Sequence, residues 1–150
     1  MTDMVNRVIL HIWRKLMNRT KAREYAFILL FQYKFQPNEI MDILEEFCME
    51  YNPGIQEEYI RTVVTKVAEN VKKIDEMIEK TSDGWGVDRI STVNLSLLRL
   101  AVGEMLYVDN IPAPVSVNEA VGLAKVYDGE ESVAFMNGVL DKIRNNLKVI

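Results

Sequence analysis

The segment Ala134-Phe135-Met136-Asn137-Gly138-Val139-Leu140-Asp141 keeps its apolar residues at helical spacing although an Asn-Gly pair lies in its middle. A glycine inside a packed helix costs about 1 kcal/mol relative to alanine. Two interpretations of Gly138 are open: a backbone or a ligand approaches closely there, or the terminal helix is loose or broken. The apolar spacing continues to Leu147 and predicts a C-terminal helix.

The same spacing recurs along the whole chain and predicts helices throughout. Apolar faces cover 22–33, 40–47, 59–78, 95–106, 120–127 and 135–147, and turn-forming residues separate them. Asn38 is expected to cap the second helix, and Ser116 with Glu119 is expected to form a capping box. Since no segment alternates with a period of two, we expect an all-α fold of six or seven helices in one or two small bundles.

Composition and length point to one globular unit. The chain has 150 residues, of which 49% are apolar and 27% are charged. No apolar run is long enough to span a bilayer. The lone Cys48 excludes an internal disulfide and a thiolate metal cluster, and no secretory signal is recognisable. We therefore expect a cytoplasmic protein.

Charge is distributed unevenly. Residues 1–23 carry six basic groups and one acid, a net charge of +5, whereas the remainder carries 12 basic and 21 acidic groups, a net charge of −9. A basic N-terminal segment on an acidic body is the pattern expected of a nucleic-acid contact. A solvated charged face would give the same pattern.

Residues 1–17 form a separate segment, which we distinguish from a single domain over 18–150. An apolar stripe lies opposite Arg7, His11, Arg14 and Lys15. The segment is interpreted as a dispensable extension, with Met17 as the natural start, as a helix docked on a neighbour, or as a helix on an anionic membrane surface. The stripe consists of Val5, Val8, Ile9, Ile12, Trp13 and Leu16.

Catalytic chemistry has little support in this sequence. It contains neither a phosphate-binding glycine-rich loop nor a nucleophile elbow. The single histidine, His11, has no evident carboxylate or thiol partner, and acid pairs such as Glu130-Glu131 would point in different directions from a helix. Metal-ligand spacing is absent. We expect no enzyme, no cofactor and no metal site.

Six motifs in order resemble the NusB family of bacterial transcription antitermination factors, and the resemblance covers residues 18–147. Each motif is weak alone, but their order and spacing together are specific. They are Arg19-Thr20-Lys21-Ala22-Arg23-Glu24 with Leu30-Phe31-Gln32, Trp85-x-x-x-Arg89, Leu98-Arg99-Leu100-Ala101 with Glu104, Ile111-Pro112, Val117-Asn118-Glu119-Ala120-Val121-x-Leu123-Ala124-Lys125, and Phe135-Met136-Asn137-Gly138-Val139-Leu140-Asp141.

The resemblance implies a compact NusB-like bundle of two helical subdomains and a defined task. Proteins of this family bind boxA RNA together with ribosomal protein NusE and help to load an antitermination complex onto RNA polymerase, chiefly on ribosomal RNA operons. The positions that the resemblance assigns to RNA are Arg19, Lys21, Arg23, Phe31, Arg89, Glu131 and Phe135. Those that it assigns to the protein partner are Asn94, Leu98 and Asn118. For Phe31 and Phe135, core packing is the alternative role.

Several positions depart from the family pattern. Thr20 interrupts the basic motif, Lys21 stands where arginine is frequent, and Ala134 stands where lysine is common. Lysine lacks the planar fork that binds phosphate through two hydrogen bonds. Asn94 replaces an acidic residue that often faces NusE. We therefore expect modest RNA affinity alone and a greater dependence on NusE.

A second function class stays open at this point. The chain would then be a non-catalytic helical protein-interaction module, or a homodimer whose interface covers the basic helix, without specific RNA binding. The sequence does not choose between a monomer and a dimer.

Overall fold

Eight α-helices make up the fold in a computed structural model that describes residues 2–15 and 17–148, with side chains for 2–9 and 17–148. The all-α prediction is confirmed, with one helix more than the expected six or seven. The helices are α1 (Thr2–Lys15), α2 (Arg19–Phe35), α3 (Ile40–Tyr51), α4 (Glu57–Glu69), α5 (Val71–Thr81), α6 (Thr92–Tyr107), α7 (Ala113–Tyr127) and α8 (Ser132–Lys148). Short 3₁₀ turns occur at Pro37–Glu39, Gly54–Gln56 and Val87–Arg89.

The long helix predicted over 59–78 is in fact two helices, α4 and α5, which meet at Asn70. The Asn70 amide Nδ2 donates to the carbonyl of Lys66 at 2.8 Å, and its backbone N–H donates to the same carbonyl at 3.1 Å. Asparagine side chains compete in this way with the helical hydrogen-bond pattern. The apolar period did not reveal the break because Val67 and Ile74, seven residues apart, lie on the same buried face.

Both predicted N-caps are wrong. Asn38 lies within the 3₁₀ turn that precedes α3, and no side chain caps that helix. Helix α7 begins at Ala113, one turn earlier than expected, because prolines are tolerated in the first turn of a helix. Ser116 is consequently inside α7, where it is 1% exposed and bonds another helix instead of capping its own.

Helix α6 is the centre of the molecule. All of its residues from Asn94 to Glu104 are buried, as expected for a helix that neighbours surround. It packs against a first group of helices, α2 and α4, and against a second group, α5, α7 and α8. The first group, completed by α3, and the second group form two connected helical subdomains.

A close approach between α4 and α6 depends on Gly103. A Cβ atom at this position would lie 2.6 Å from Cγ2 of Val67 and 3.3 Å from Cγ2 of Val63. Both valines are fully buried. The glycine therefore allows α4 and α6 to pack closely at this point.

The structure excludes two of the sequence-based interpretations of Gly138, a broken helix and a close approach by another part of the described chain. Helix α8 continues through it without a break, so the terminal helix is not broken there. A Cβ atom at Gly138 would also meet no other atom within 4 Å among the described residues, so no part of this chain approaches it closely.

The N-terminal helix α1 lies beside the turn Gly54–Gln56. Its apolar residues Met4, Val5, Val8 and Ile9 are all exposed, the last of them by 44%. The rest of the predicted stripe, together with His11, lies outside the described side chains. In the part of the chain that the structure describes, no helix combines the length and apolar character needed to traverse a membrane.

Replacing Gly103 with alanine tests the contact between α4 and α6. We expect the Gly103→Ala variant to lose about 1–3 kcal/mol of unfolding free energy, because the new methyl group overpacks a site that buried valines already fill. Urea unfolding measures the loss. The control is Gly122→Ala in α7, where a Cβ meets nothing within 4 Å and alanine should stabilise the helix. Equal effects of the two variants would contradict the close approach.

Candidate nucleic-acid interface

A buried ion pair lies beneath the basic start of α2. Arg23 donates from Nε and Nη2 to the two carboxylate oxygens of Glu104, at 2.7 and 3.0 Å, and the side chains are 3% and 1% exposed. The hydroxyls of Tyr59 and Ser116 donate to the same carboxylate at 2.7 and 3.0 Å. Burial lowers the pKa of Arg23, but the hydrogen bonds and charge of Glu104 outweigh this effect and raise it above its usual value.

This geometry corrects the prediction that Arg23 contacts RNA phosphates. Its guanidinium is buried and its hydrogen bonds are directed into the protein core. Removing a charge from such a pair leaves the other charge buried without a partner. Arg23 is thus a structural residue, and its basic neighbours must supply any phosphate contact.

Lys21 and Arg19 lie on the outside of the same helix start. Asn18 caps α2 by accepting a hydrogen bond from the Lys21 backbone N–H at 2.8 Å. The Lys21 ammonium is half exposed and lies 2.7 Å from the Glu24 carboxylate, whose hydrogen bond and charge raise the pKa of Lys21. Arg19 donates to Gln56 at 2.8 Å and lies 4.3 Å above the centre of the Tyr59 ring. Both cations remain accessible from solvent.

A second group of candidates meets between the Val87–Arg89 turn and α8. Arg89 and Phe135 line one groove of about 180 Å³ together with Trp85 and Asn94. Arg89 is exposed and Phe135 is half-buried. The structure thus brings a cation and an aromatic ring to the same opening.

A chain of contacts connects the two groups. The Glu24 carboxylate, which binds Lys21, also accepts a hydrogen bond from the Tyr127 hydroxyl at 3.0 Å. The next residue, Asp128, accepts a hydrogen bond from the Asn94 amide at 3.1 Å. Since Asn94 lines the groove that holds Arg89, a series of side-chain contacts runs from the basic start of α2 to this groove.

The remaining predicted positions are dispersed. Phe31 is half-buried and packs edge-on against Phe27 and Phe35, so part of its ring belongs to the core. Glu131 is exposed, with its carboxylate beside Gly129. Asn118 is exposed on α7 and is available to a partner.

Two of the predicted partner contacts are corrected by burial. Leu98 is fully buried in α6, and Asn94 is only 7% exposed. A partner protein therefore cannot contact Leu98 and could reach very little of Asn94. Both lie in the stretch of α6 that other helices enclose on every side. Their roles in this structure are packing for Leu98 and hydrogen bonding to Asp128 and Ser132 for Asn94.

Sequence reasoning missed two residues that shape this surface. Trp85 is 52% exposed and lines the groove, and its only signal in the sequence was the motif that it shares with Arg89. Glu104 organises the buried network, and the available signal was a lone carboxylate within the apolar stretch 95–106. Among the described residues, no group of three His, Cys, Asp or Glu side chains is placed to hold a metal ion.

Comparison with known proteins identifies the family. The model of the NusB family matches residues 20–145. The chain belongs to the NusB family. Its relatives include proteins named transcription antitermination protein NusB. The one from Natranaerobius thermophilus is 43% identical over 136 residues, and the match covers 87% of this chain and 97% of that protein.

Solved structures agree with this family assignment. The structure of T. maritima NusB matches with a TM-score of 0.77 and 36% identity, and the match covers 85% of this chain and 90% of that chain. A crystal structure of antitermination factors NusB and NusE in complex with dsRNA matches with a TM-score of 0.76 and 28% identity, covering 85% of this chain and 96% of that chain. The NusB-like fold predicted from the motifs is therefore confirmed.

Substitutions should show that the buried Arg23–Glu104 pair contributes more to the unfolding free energy than the exposed Lys21–Glu24 pair. We expect Glu104→Ala to cost about 3–5 kcal/mol of unfolding free energy, because Arg23 is left charged and buried. Lys21→Ala breaks an exposed pair and should cost less than about 1 kcal/mol. Urea unfolding measures both, and Glu104→Gln, which keeps an acceptor, should fall between them. A loss for Glu104→Ala as small as that for Lys21→Ala would contradict the structural role of the pair.

Proposed function

We propose that this protein binds boxA-containing RNA together with ribosomal protein NusE, and that the assembly joins RNA polymerase in an antitermination complex on ribosomal RNA operons. The observation that carries the proposal is the series of contacts that joins Lys21 to the groove lined by Arg89 and Phe135. Membership of the NusB family and the structural match to a NusB–NusE–dsRNA complex support it.

The chemistry of this surface suits a single-stranded RNA. Lys21, Arg19 and Arg89 supply cations for phosphates, and each phosphate contact releases a counterion, which makes binding sensitive to salt. Single-stranded RNA is recognised through unstacked bases that lie on aromatic rings, and Phe135 presents such a ring in the groove of Arg89. With Arg23 buried, fewer cations remain than the sequence indicates, which supports a modest affinity for RNA alone.

NusE is proposed to supply the charge that this protein lacks. The chain carries a net charge of −4, and its residues beyond 23 carry −9. Such a body complements a basic ribosomal protein, and complementary charge accelerates and orients association. Asn118, exposed on α7, is proposed as a direct contact with NusE.

The experiment that tests the proposal measures binding of a boxA RNA, a scrambled RNA and a double-stranded form, with and without purified NusE, at two salt concentrations. We expect sequence-dependent binding that NusE strengthens and salt weakens. Equal, weak binding to all three RNAs, unaffected by NusE, would overturn the proposal and favour a protein-interaction module.

Substitutions of single exposed cations should weaken RNA binding without loss of the fold. Lys21→Ala and Arg89→Ala are each expected to lower affinity and to reduce the slope of log K against log salt by about 0.7, the value for one lost contact to a single strand. Lys66→Ala is the matched control, since Lys66 forms an exposed i, i+3 pair with Glu69 on α4, like that of Lys21 with Glu24. An unchanged slope for Lys21→Ala and Arg89→Ala would contradict the proposed contacts between these two residues and phosphates.

We further propose that residues 18–150 are the functional unit and that 1–17 are an extension that RNA binding does not require. The family model begins at residue 20, and the described side chains of α1 are exposed. A chain lacking residues 2–16 should bind boxA RNA and NusE as the full chain does. A clear loss of RNA affinity in the shortened chain would show that the basic residues of α1 take part.

A further inference from the structure

Gly138 is placed where helix formation alone disfavours a glycine. It lies inside α8, is exposed, and leaves the space around an added Cβ empty to at least 4 Å among the described residues. Gly103 in α6 is explained by contact with α4, but no such contact explains Gly138. A glycine that the fold does not need, beside open space, is consistent with close approach by a separate molecule.

The open space beside Gly138 is a groove of about 160 Å³ between α8 and the end of α5. Trp85 and Phe135 line it, and Lys142 lies at its edge, where the ammonium binds Asp83 at 2.9 Å. The groove that holds Arg89 and Asn94 shares Trp85 and Phe135 with it. The two grooves thus adjoin each other and share the side chains of Trp85 and Phe135. Lys142 lines the first groove, and Arg89 lines the second.

Trp85 is exposed on a turn that is itself held firmly. The Ser82 hydroxyl donates to the Trp85 carbonyl at 2.6 Å, and the Trp85 backbone N–H donates to the Ser82 carbonyl at 3.1 Å. The indole is nevertheless 52% exposed. A fixed backbone with an exposed flat ring is the arrangement of a stacking platform.

Asn94, which lines the adjoining groove, carries a buried acceptor that no hydrogen bond satisfies among the described residues. Its amide Nδ2 donates to Asp128 and to Ser132, both at 3.1 Å, and this fixes which end of the amide is the oxygen. That oxygen, Oδ1, is buried and has no hydrogen-bond partner among the described residues. Unpartnered buried acceptors are rare, and packing within the chain does not explain this one.

We propose that the groove beside Gly138 holds one unstacked nucleobase of the bound single-stranded RNA, stacked on Trp85, with Lys142 on the adjoining phosphate. This inference rests on the proposed function and adds Trp85, Gly138 and Lys142 to its RNA-binding residues. A nucleotide combines a flat aromatic ring with an adjacent anion, and the groove combines a flat indole with an adjacent cation. An aliphatic protein side chain would use neither feature.

Filling the groove tests the inference directly. Gly138→Leu projects a side chain into the groove from a position where the first carbon meets no atom, so the fold should be kept. We expect the affinity for a boxA RNA to fall at least tenfold. Gly122→Leu is the matched control, because Gly122 is also an exposed glycine inside a helix with nothing within 4 Å of its Cβ. Its affinity for RNA, measured without NusE, should not change.

Trp85 supplies a second readout that a structural role would not produce. Trp85→Ala should lower RNA affinity about tenfold, whereas Trp85→Phe should keep most of it, because a smaller ring still stacks. In a Trp13→Phe background the remaining tryptophan is Trp85, since the chain has two. We expect RNA to quench its fluorescence, and the quenching should disappear in Gly138→Leu.

The outcomes separate this inference from the proposed function. Wild-type binding to boxA RNA with undiminished affinity in Gly138→Leu and Trp85→Ala would overturn the inference and leave the proposed function standing. Absence of boxA binding by the wild type, even with NusE, would overturn both. Loss of NusE binding in Gly138→Leu with unchanged RNA affinity would assign the groove to a protein and overturn the inference.

Discussion

The buried pair of Arg23 and Glu104 is the interaction on which the rest of the structure depends. Two ionised side chains are tolerated in the core only where their mutual hydrogen bonds have good geometry and their remaining donors and acceptors also have partners. Here Tyr59 and Ser116 complete the hydrogen bonding of the carboxylate, so residues from α2, α4, α6 and α7 meet at one point. The pair therefore holds both helical subdomains in a fixed relation.

That fixed relation also determines the outer surface. Because Arg23 is held inside, Lys21 and Arg19, on the preceding turn of α2, are presented outside. The hydrogen bond between Glu24 and Tyr127 then ties α2 to the end of α7, and the bond between Asp128 and Asn94 continues to the groove with Arg89 and Phe135. A structural pair in the core thus aligns cations and rings that lie far apart in the sequence.

The sequence predicted most of the fold but placed only part of the candidate interface on the surface. Apolar periodicity located most of the helices, and turn-forming residues indicated that they are separate, since both signals depend on local chemistry. It missed the break at Asn70, where the buried face continues through the break, and the early start of α7 at Ala113. A run of basic residues does not show which of their side chains point into the core, and for this reason Arg23 was predicted to contact RNA. The burial of Leu98 depends on helices that are distant in sequence.

Two glycines show in the same way that the sequence does not reveal what surrounds a residue in the fold. Gly103 and Gly138 both stand inside helices, and the sequence offered no means of telling a packing contact from open space. The structure distinguishes them by what a Cβ would meet, a buried valine at Gly103 and nothing within 4 Å at Gly138. The first glycine is required by the fold, whereas the second lies in the surface proposed to bind RNA.

The most direct test of that surface is hydrogen–deuterium exchange of the full chain, alone and in complex with NusE and boxA RNA. The proposed interface predicts RNA-dependent protection at residues 19–24, 85–94 and 132–142, beyond any protection that NusE alone produces. Protection by RNA confined to α3 and the neighbouring face of α2, with these three segments unchanged, would contradict it.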